Sequence, residues 1–325
     1  MPPLQPLAAC GSPYDRTVID RAEIERARDV IRGRLHRTPT LTCRTLGPDV
    51  FLKAELLQKT GSFKPRGMLT LVDSLPGEEK TGGIVTWSAG NAAQGAAFAA
   101  REAGIACTVF MWATANPLKV EATRGYGAEV DLTAASPAEA HERLLEYVEE
   151  TGRVFVHPFD DPVLQAGHGT LGLEVVEDVP DVATIVVPIG GGGLISGVAS
   201  AVDCRVVGVE PEAAPTLTEA LAAGESVRIT PASVADGLNA PFTGEGTLSV
   251  VRERVDGIVL VSEDEIAQGM RFLYPRAKLA CEPAGAAAVA ALLAGKVQLS
   301  DGPVVAVVSG GNADPKVVAG ILAGR

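Results

Sequence analysis

Ile185-Val186-Val187-Pro188-Ile189-Gly190-Gly191-Gly192-Gly193-Leu194 carries an apolar run straight into four consecutive glycines. A short apolar run bounded by glycine reads as a strand covered on both faces. Leu194 to Val202, which follows, reads as a helix. Strand, glycine loop and helix in that order build an anion site. Backbone N–H groups turn toward one point, and the helix N-terminus adds positive potential there. Only residues without side chains let the backbone come so close. Two nucleotide loops are excluded. A Walker loop requires Gly-Lys-Ser/Thr, whereas Gly197 is followed by Val198. A dinucleotide loop requires Gly-x-Gly-x-x-Gly, and its third glycine would fall on Ile195 or Ser196. A compact monophosphate fits this loop better than a nucleotide.

The alternation extends in both directions. Further strands are expected at Val50 to Leu52, Gly83 to Trp87, Ala106 to Met111, Glu129 to Leu132, Val154 to His157, Arg205 to Glu210, Gly257 to Val261 and Val304 to Ser309. Helices are expected at Asp20 to Leu35, Ala92 to Ala103, Pro117 to Arg124, Pro137 to Thr151, Gly167 to Asp178, Glu263 to Leu273 and Gly285 to Ala294. Strands alternating with helices predict an α/β fold with a parallel sheet built from βαβ units. No repeat and no Ser/Pro-rich linker divides the 325 residues, which suit one large domain or two intimate ones.

Composition narrows the partners. A net charge of −12 with no basic stripe argues against nucleic acid. The longest apolar run, Ala284 to Ala294, is far short of the ~18 residues of a membrane span. Leu7-Ala8-Ala9-Cys10 looks like a lipoprotein box but lacks the basic start and long apolar segment of an export signal. Cys10, Cys43, Cys107, Cys204 and Cys281 are odd in number and contain no Cys-x-x-Cys pair, which points to free thiols in a reducing cytoplasm. The four histidines show no metal-ligand spacing.

Three more segments carry chemistry. In Gly61-Ser62-Phe63-Lys64-Pro65-Arg66-Gly67, Lys64 precedes a proline suited to a first helical turn. The positive helix end and partial burial both lower a lysine's pKa and free its amine, as an aldehyde cofactor requires. Taken alone, Lys64 reads as a surface residue; the glycine loop reverses that. Ser88-Ala89-Gly90-Asn91-Ala92 follows a strand and opens an Ala-rich helix, forming either a helix cap or a carboxylate pocket. Ser309-Gly310-Gly311-Asn312 again ends a strand, where ligands sit in open α/β sheets.

Gly-Ser-Phe-Lys-x-Arg-Gly, Ser-Ala-Gly-Asn-x-x-Gln-Gly, Gly-Gly-Gly-Gly-Leu and Ser-Gly-Gly-Asn, in this order and spacing, resemble the fold-type II pyridoxal-phosphate enzymes, specifically the threonine/serine dehydratase and serine racemase group. The likeness covers roughly residues 20–315. It implies two open, mostly parallel sheets flanked by helices. A large cofactor domain would comprise 1–81 and 153–325, with a small mobile domain at 82–152 closing over the substrate. The resemblance also implies the roles. Lys64 would hold pyridoxal 5'-phosphate as a Schiff base, and Phe63 would pack near the ring. Asn91 would bond the ring oxygen, and Gly190, Gly191, Gly192, Gly193 and Leu194 would hold the phosphate. Ser309 would meet the pyridine nitrogen, with Glu282 beneath the ring. Ser88, Ala89, Asn91, Ala92 and Gly237 would surround the amino-acid substrate. The implied reaction is loss of water from a small β-hydroxy amino acid such as L-threonine or L-serine, giving a 2-oxo acid and ammonia. A homodimer is implied as well.

Departures qualify this. Ala92 stands where the family usually has histidine, Met68 where alanine is common, and Trp87 precedes Ser88. The resemblance also implies a divalent-cation site after a Glu-Pro pair, here Glu210-Pro211, with Glu210 and the Ala214 carbonyl as two of its ligands. The usual third ligand, a carboxylate, is Thr216, which weakens such a site. Family racemases carry a second serine directly before Gly-Asn, and this chain has Ala89. Elimination is therefore expected, with serine-type racemisation as the alternative. A non-catalytic cofactor- or amino-acid-binding protein is the alternative of another class.

Overall fold

The computed structural model describes residues 19–298 and 301–324. Cys10, the lipoprotein-like box and the start of the expected large domain lie outside them. The strands are β1 (Thr40–Thr42), β2 (Val50–Lys53), β3 (Ile84–Trp87), β4 (Cys107–Trp112), β5 (Glu129–Ala134), β6 (Val154–Phe155), β7 (Thr184–Pro188), β8 (Arg205–Pro211), β9 (Gly257–Val261) and β10 (Val304–Val307). The helices are α1 (Arg21–Ile31), α2 (Pro65–Ser74), α3 (Gly77–Gly82), α4 (Asn91–Ala103), α5 (Pro117–Gly125), α6 (Pro137–Thr151), α7 (Pro162–Asp178), α8 (Gly193–Ala201), α9 (Thr216–Ala223), α10 (Glu245–Arg254), α11 (Glu263–Phe272), α12 (Pro283–Leu293) and α13 (Pro315–Leu322).

Two sheets result. The larger runs β1-β2-β10-β7-β8-β9, and the smaller runs β5-β4-β3-β6. Among the strands of the described residues only the β1–β2 pair is antiparallel. The expected α/β architecture with two mostly parallel sheets is the observed one. β6 pairs with β3 although it lies just past residue 152, so the smaller sheet draws on residues 84–155.

Alternation within the central strands explains their unbroken apolar sequence. Val186 and Ala306 face the core under α12, whereas Ile185, Val187, Val305 and Val307 face the core under α7 and α8. Helices on both faces leave no strand face for polar residues. The smaller sheet is likewise covered on two sides, by α4 and by α6.

The first helix starts as the sequence predicts. Asp20 and Glu23 form a reciprocal capping box. α7 starts five residues before the expected Gly167, because Asp161 caps it and Pro162 occupies its first position. Its glycines serve packing. A Cβ on Gly167 would lie 2.4 Å from the Arg66 carbonyl, and one on Gly169 would lie 2.7 Å from the Gly197 carbonyl. α3, α9, α10 and α13 are additions to the expected helices.

β10 returns to lie between β2 and β7, although the chain has meanwhile built β8 and β9. The carboxyl ends of β2, β7 and β10 therefore open side by side, as at the switch points where α/β sheets bind ligands.

Candidate active site

Each strand end delivers one motif. β7 ends at Pro188 and leads into the four glycines, which open α8 at Gly193. β10 leads into Ser309, whose carbonyl accepts the Phe63 N–H at 3.2 Å. Ser62 bridges Gly310, and the Gly311 N–H donates to the Gly61 carbonyl at 2.8 Å. The Lys64 loop is thus clipped to the end of β10. β3 in the smaller sheet leads into Ser88-Ala89-Gly90, and Asn91 begins α4.

These ends enclose one cavity of about 780 Å³. Phe63, Lys64, Ser88, Ala89, Asn91, Ala92, Gly190, Gly191, Gly192, Gly193, Leu194, Gly237, Glu282 and Ser309 all line it. Every residue expected to touch cofactor or substrate is therefore brought together. Of the departures, Trp87 and Ala92 line the cavity, whereas Met68 is buried outside the lining.

Lys64 is the residue at the N-terminal boundary of α2, with Pro65 at the first helical position. Its side chain is part-buried, and Nζ donates to the Pro158 carbonyl at 2.8 Å. The ammonium lies 5.2 Å from the centre of the Phe63 ring. Burial alone pushes its pKa down to about 8. No acid pairs with it among the described residues.

The glycine loop is shaped by its floor. A Cβ on Gly191 would fall 2.4 Å from the Phe159 ring, and one on Gly193 would fall 2.4 Å from the Phe159 carbonyl. Gly192 has φ +88, and a Cβ there would meet the Thr247 methyl at 2.4 Å. Among the described residues, no amide from Gly190 to Leu194 donates to a protein acceptor. A row of free amides at a helix N-terminus is a cradle for a phosphate.

Asn91 is held from two sides. Its Nδ2 donates to Glu282 Oε1 at 2.5 Å, and its Oδ1 accepts from Asn312 Nδ2 at 2.8 Å. Glu282 is buried, and its Oε2 has no partner among the described residues. Burial pushes this carboxyl up to about 7, although the nearby Lys119 pulls the other way. Lys119 itself, nearly buried on α5, pairs with the exposed Asp236 beside Gly237. That ion pair spans from the smaller sheet's helix to the loop over the cavity.

Glu210 and Ala214 do not line the cavity. The buried Glu210 carboxylate accepts from the Leu217 and Thr218 N–H groups at 2.7 and 3.0 Å and from the Thr218 hydroxyl at 2.7 Å. It caps α9 rather than waiting for a cation. Among the described residues no three His, Cys, Asp or Glu side chains gather into a metal site. The expected cation ligands are therefore corrected to a helix cap.

Several lining groups escape sequence reasoning. The Pro158 carbonyl is backbone and has no side-chain signature. Trp112 and His141 come from the smaller sheet's side, with His141 packed on Trp87 at 4.9 Å. Apart from the expected Gly237, residues 228–231 and 236–242 form a further wall in which the Arg228 guanidinium lies 5.1 Å from the Phe242 ring. No periodicity marks such a segment.

Comparison with known proteins agrees with the geometry. A family described as "Pyridoxal-phosphate dependent enzyme" matches residues 31–310. The L-threonine ammonia-lyase of Geobacter sulfurreducens is 45% identical over 309 residues, covering 92% of this chain and 77% of that protein. Maize serine racemase superposes with a TM-score of 0.89 at 35% identity, covering 93% of this chain and 96% of that one. The T.th. threonine deaminase gives a TM-score of 0.86 at 39% identity, covering 91% of this chain and 99% of that one.

Proposed function

The chain belongs to the family of pyridoxal-phosphate-dependent enzymes, and from that premise we propose that it is an ammonia-lyase acting on L-threonine. It removes water from a small β-hydroxy amino acid and releases a 2-oxo acid and ammonia. The observation that carries this reading is the Lys64 amine. It is part-buried, has no acidic partner among the described residues, and faces the same cavity as the free amides of the glycine loop.

When bound, pyridoxal phosphate supplies an aldehyde for an amine and a ring that accepts electrons released at Cα. The residues present fit it. Gly190 to Leu194 would hold the phosphate through their amides, Asn91 and Phe63 would flank the ring, and Ser309 would face its nitrogen. A serine hydroxyl does not keep that nitrogen protonated as an aspartate would, which favours prompt loss of a β-leaving group over a long-lived carbanion. Ser88, Asn91 and the Ala92 amide at the start of α4 would orient the substrate carboxylate. Lys64, with its pKa lowered to about 8, is a base matched to a near-neutral reaction and would take the α-proton. Ala89 presents no proton donor beside this turn, which favours elimination over racemisation.

The segment 82–152, together with β6, would move as a unit over the substrate. The Lys119–Asp236 pair would join it to the loop carrying Gly237. We assign the working protein to the cytoplasm as a homodimer. Among the described residues Cys43, Cys107, Cys204 and Cys281 are all free thiols, in keeping with a reducing compartment.

A panel of L-threonine, L-serine, 3-hydroxyaspartate and bulkier β-hydroxy amino acids tests the reading. We expect fastest release of 2-oxo acid from L-threonine. D-serine accumulating faster than pyruvate from L-serine would favour the racemase. A cofactor absorbance that shifts with every substrate while no oxo acid appears would favour a binding protein.

A further inference from the structure

We propose that the turn from His157 to Asp160 is a strut that positions the Lys64 amine, and that His157 is the residue that sets the turn. The inference rests on Lys64 being the cofactor lysine.

The only hydrogen-bond acceptor for Lys64 Nζ among the described residues is the Pro158 carbonyl, at 2.8 Å. That carbonyl lies inside a tight turn closed by His157. The amides of Phe159 and Asp160 both donate to His157 Nδ1, at 3.3 and 2.8 Å. A ring nitrogen that accepts two amides carries no proton. Burial, together with the positive charges of His141 on α6 and of Lys64, keeps the imidazole neutral down to about 3. Asp160, within the turn, and Asp161, which caps α7 directly after it, are further titratable neighbours, and Thr247 donates to the Asp160 carboxylate at 2.9 Å. The acceptor is therefore present throughout the working range of pH.

The opposite side of the same turn supports the glycine loop. The Phe159 ring and carbonyl fill the places where Cβ atoms on Gly191 and Gly193 would stand. Gln165 Nε2 donates to the Phe159 carbonyl at 3.2 Å and to Thr247 Oγ1 at 2.9 Å. The Thr247 methyl closes the space beside Gly192. One turn thus touches the lysine amine on one side and the floor of the phosphate cradle on the other.

Upstream, β6 runs directly into the turn. The Val156 N–H donates to the Val85 carbonyl and the Thr86 hydroxyl to the Val156 carbonyl, both at 2.8 Å. β3, which carries Val85 and Thr86, ends at the Ser88 to Ala92 turn. The strand that ends at the turn expected to hold the substrate carboxylate is thus hydrogen-bonded to the segment that carries the Pro158 carbonyl. Small misplacements of a reacting group are costly in rate, about 10²-fold for 1 Å. His157 is a positioning residue and touches neither substrate nor cofactor in this scheme.

The test compares His157→Asn, whose Oδ1 can take over the two amides, with His157→Leu, which offers no acceptor. The readout is the pH midpoint at which added pyridoxal phosphate is captured by apoprotein, fixed with borohydride and mapped by peptide. Wild type should show a midpoint of about 8. In His157→Leu the amine loses its fixed carbonyl and gains water. The midpoint should rise by about one unit and capture at neutral pH should slow about tenfold. His157→Asn should stay within about twofold of wild type. A merely structural role would lower melting temperature and leave the midpoint where it was. If His157→Leu does not fold, Gln165→Met cuts the brace on the Phe159 carbonyl and should move the midpoint in the same direction. An unmoved midpoint in the folded variant, with the adduct on Lys64, overturns the inference alone. An adduct on a different lysine in wild type brings down the cofactor assignment and this inference with it.

Discussion

Lys53 and Lys64 lie eleven residues apart and both leave the solvent, but their surroundings differ in one respect. Lys53 Nζ is 2.7 Å from Glu174 and 3.6 Å from Asp178, and it donates to the Thr38 carbonyl at 2.8 Å. Nearby, the fully buried Arg66 forks onto Glu55 at 2.8 and 2.9 Å and onto Glu174 at the same two distances. Lys64, two residues before Arg66, meets a neutral carbonyl and an aromatic ring. Acids beside a buried cation fix its charge and make it a structural tie. Burial without an acid disfavours the charge and makes the same side chain a base. The Gly-Ser-Phe-Lys-Pro-Arg segment thus holds both kinds of cation, and the Arg66 network anchors the first turn of the helix that Lys64 precedes.

The comparison can be broken most severely at Lys64. Lys64→Ala should lower oxo-acid release by about 10³-fold or more while leaving the melting temperature near wild type. Substantial residual turnover would mean another base does the work.

Arg66→Met should do the reverse. It leaves Glu55, fully buried, without its guanidinium, at a cost of about 3–5 kcal/mol in urea unfolding. Turnover per folded molecule should fall far less than in Lys64→Ala.

pH dependence sharpens the contrast. The folded-state pKa of Lys64 is about 8, below its ordinary value of 10.5. Between those values the unfolded chain binds more protons than the native one, so this residue makes apoprotein stability rise with pH across that window. Lys64→Met should flatten that limb in urea titrations at several pH values. An unchanged slope would mean the native amine keeps its ordinary affinity for protons.

The smallest effect is expected at the rim of the network. Asp178→Asn weakens contacts to Arg37 and Lys53 that are partly open to water, so the loss should be about 0.5–1 kcal/mol and should fade with added salt.

Much of this site is legible in the sequence because its parts are local. The strand running into four glycines lies at Thr184–Pro188, and α8 starts within the loop, because apolar runs and glycine punctuation are short-range signals. Lys64 stands out through its neighbours Phe63 and Pro65 and through the distant loop. Sequence reasoning fails where the folded path of the backbone decides. Glu210 offers a carboxylate of the right type after a strand, yet α9, a helix absent from the expected elements, folds its N-terminus back onto that carboxylate. Pro158 gives no hint because a backbone carbonyl is common to every residue. Apart from Gly237, the wall from 228 to 242 lacks the periodicity that marks a helix or strand, so the rest of its contribution to the cavity emerges only once the chain is folded.

The most direct measurement is borohydride reduction of the cofactor-loaded protein followed by peptide mapping by mass spectrometry. The account predicts a single reduced pyridoxyl group on the peptide containing Lys64, absent in Lys64→Ala. A reduced group on Lys53, Lys119 or any other lysine, or none at all in protein that retains cofactor, would contradict it.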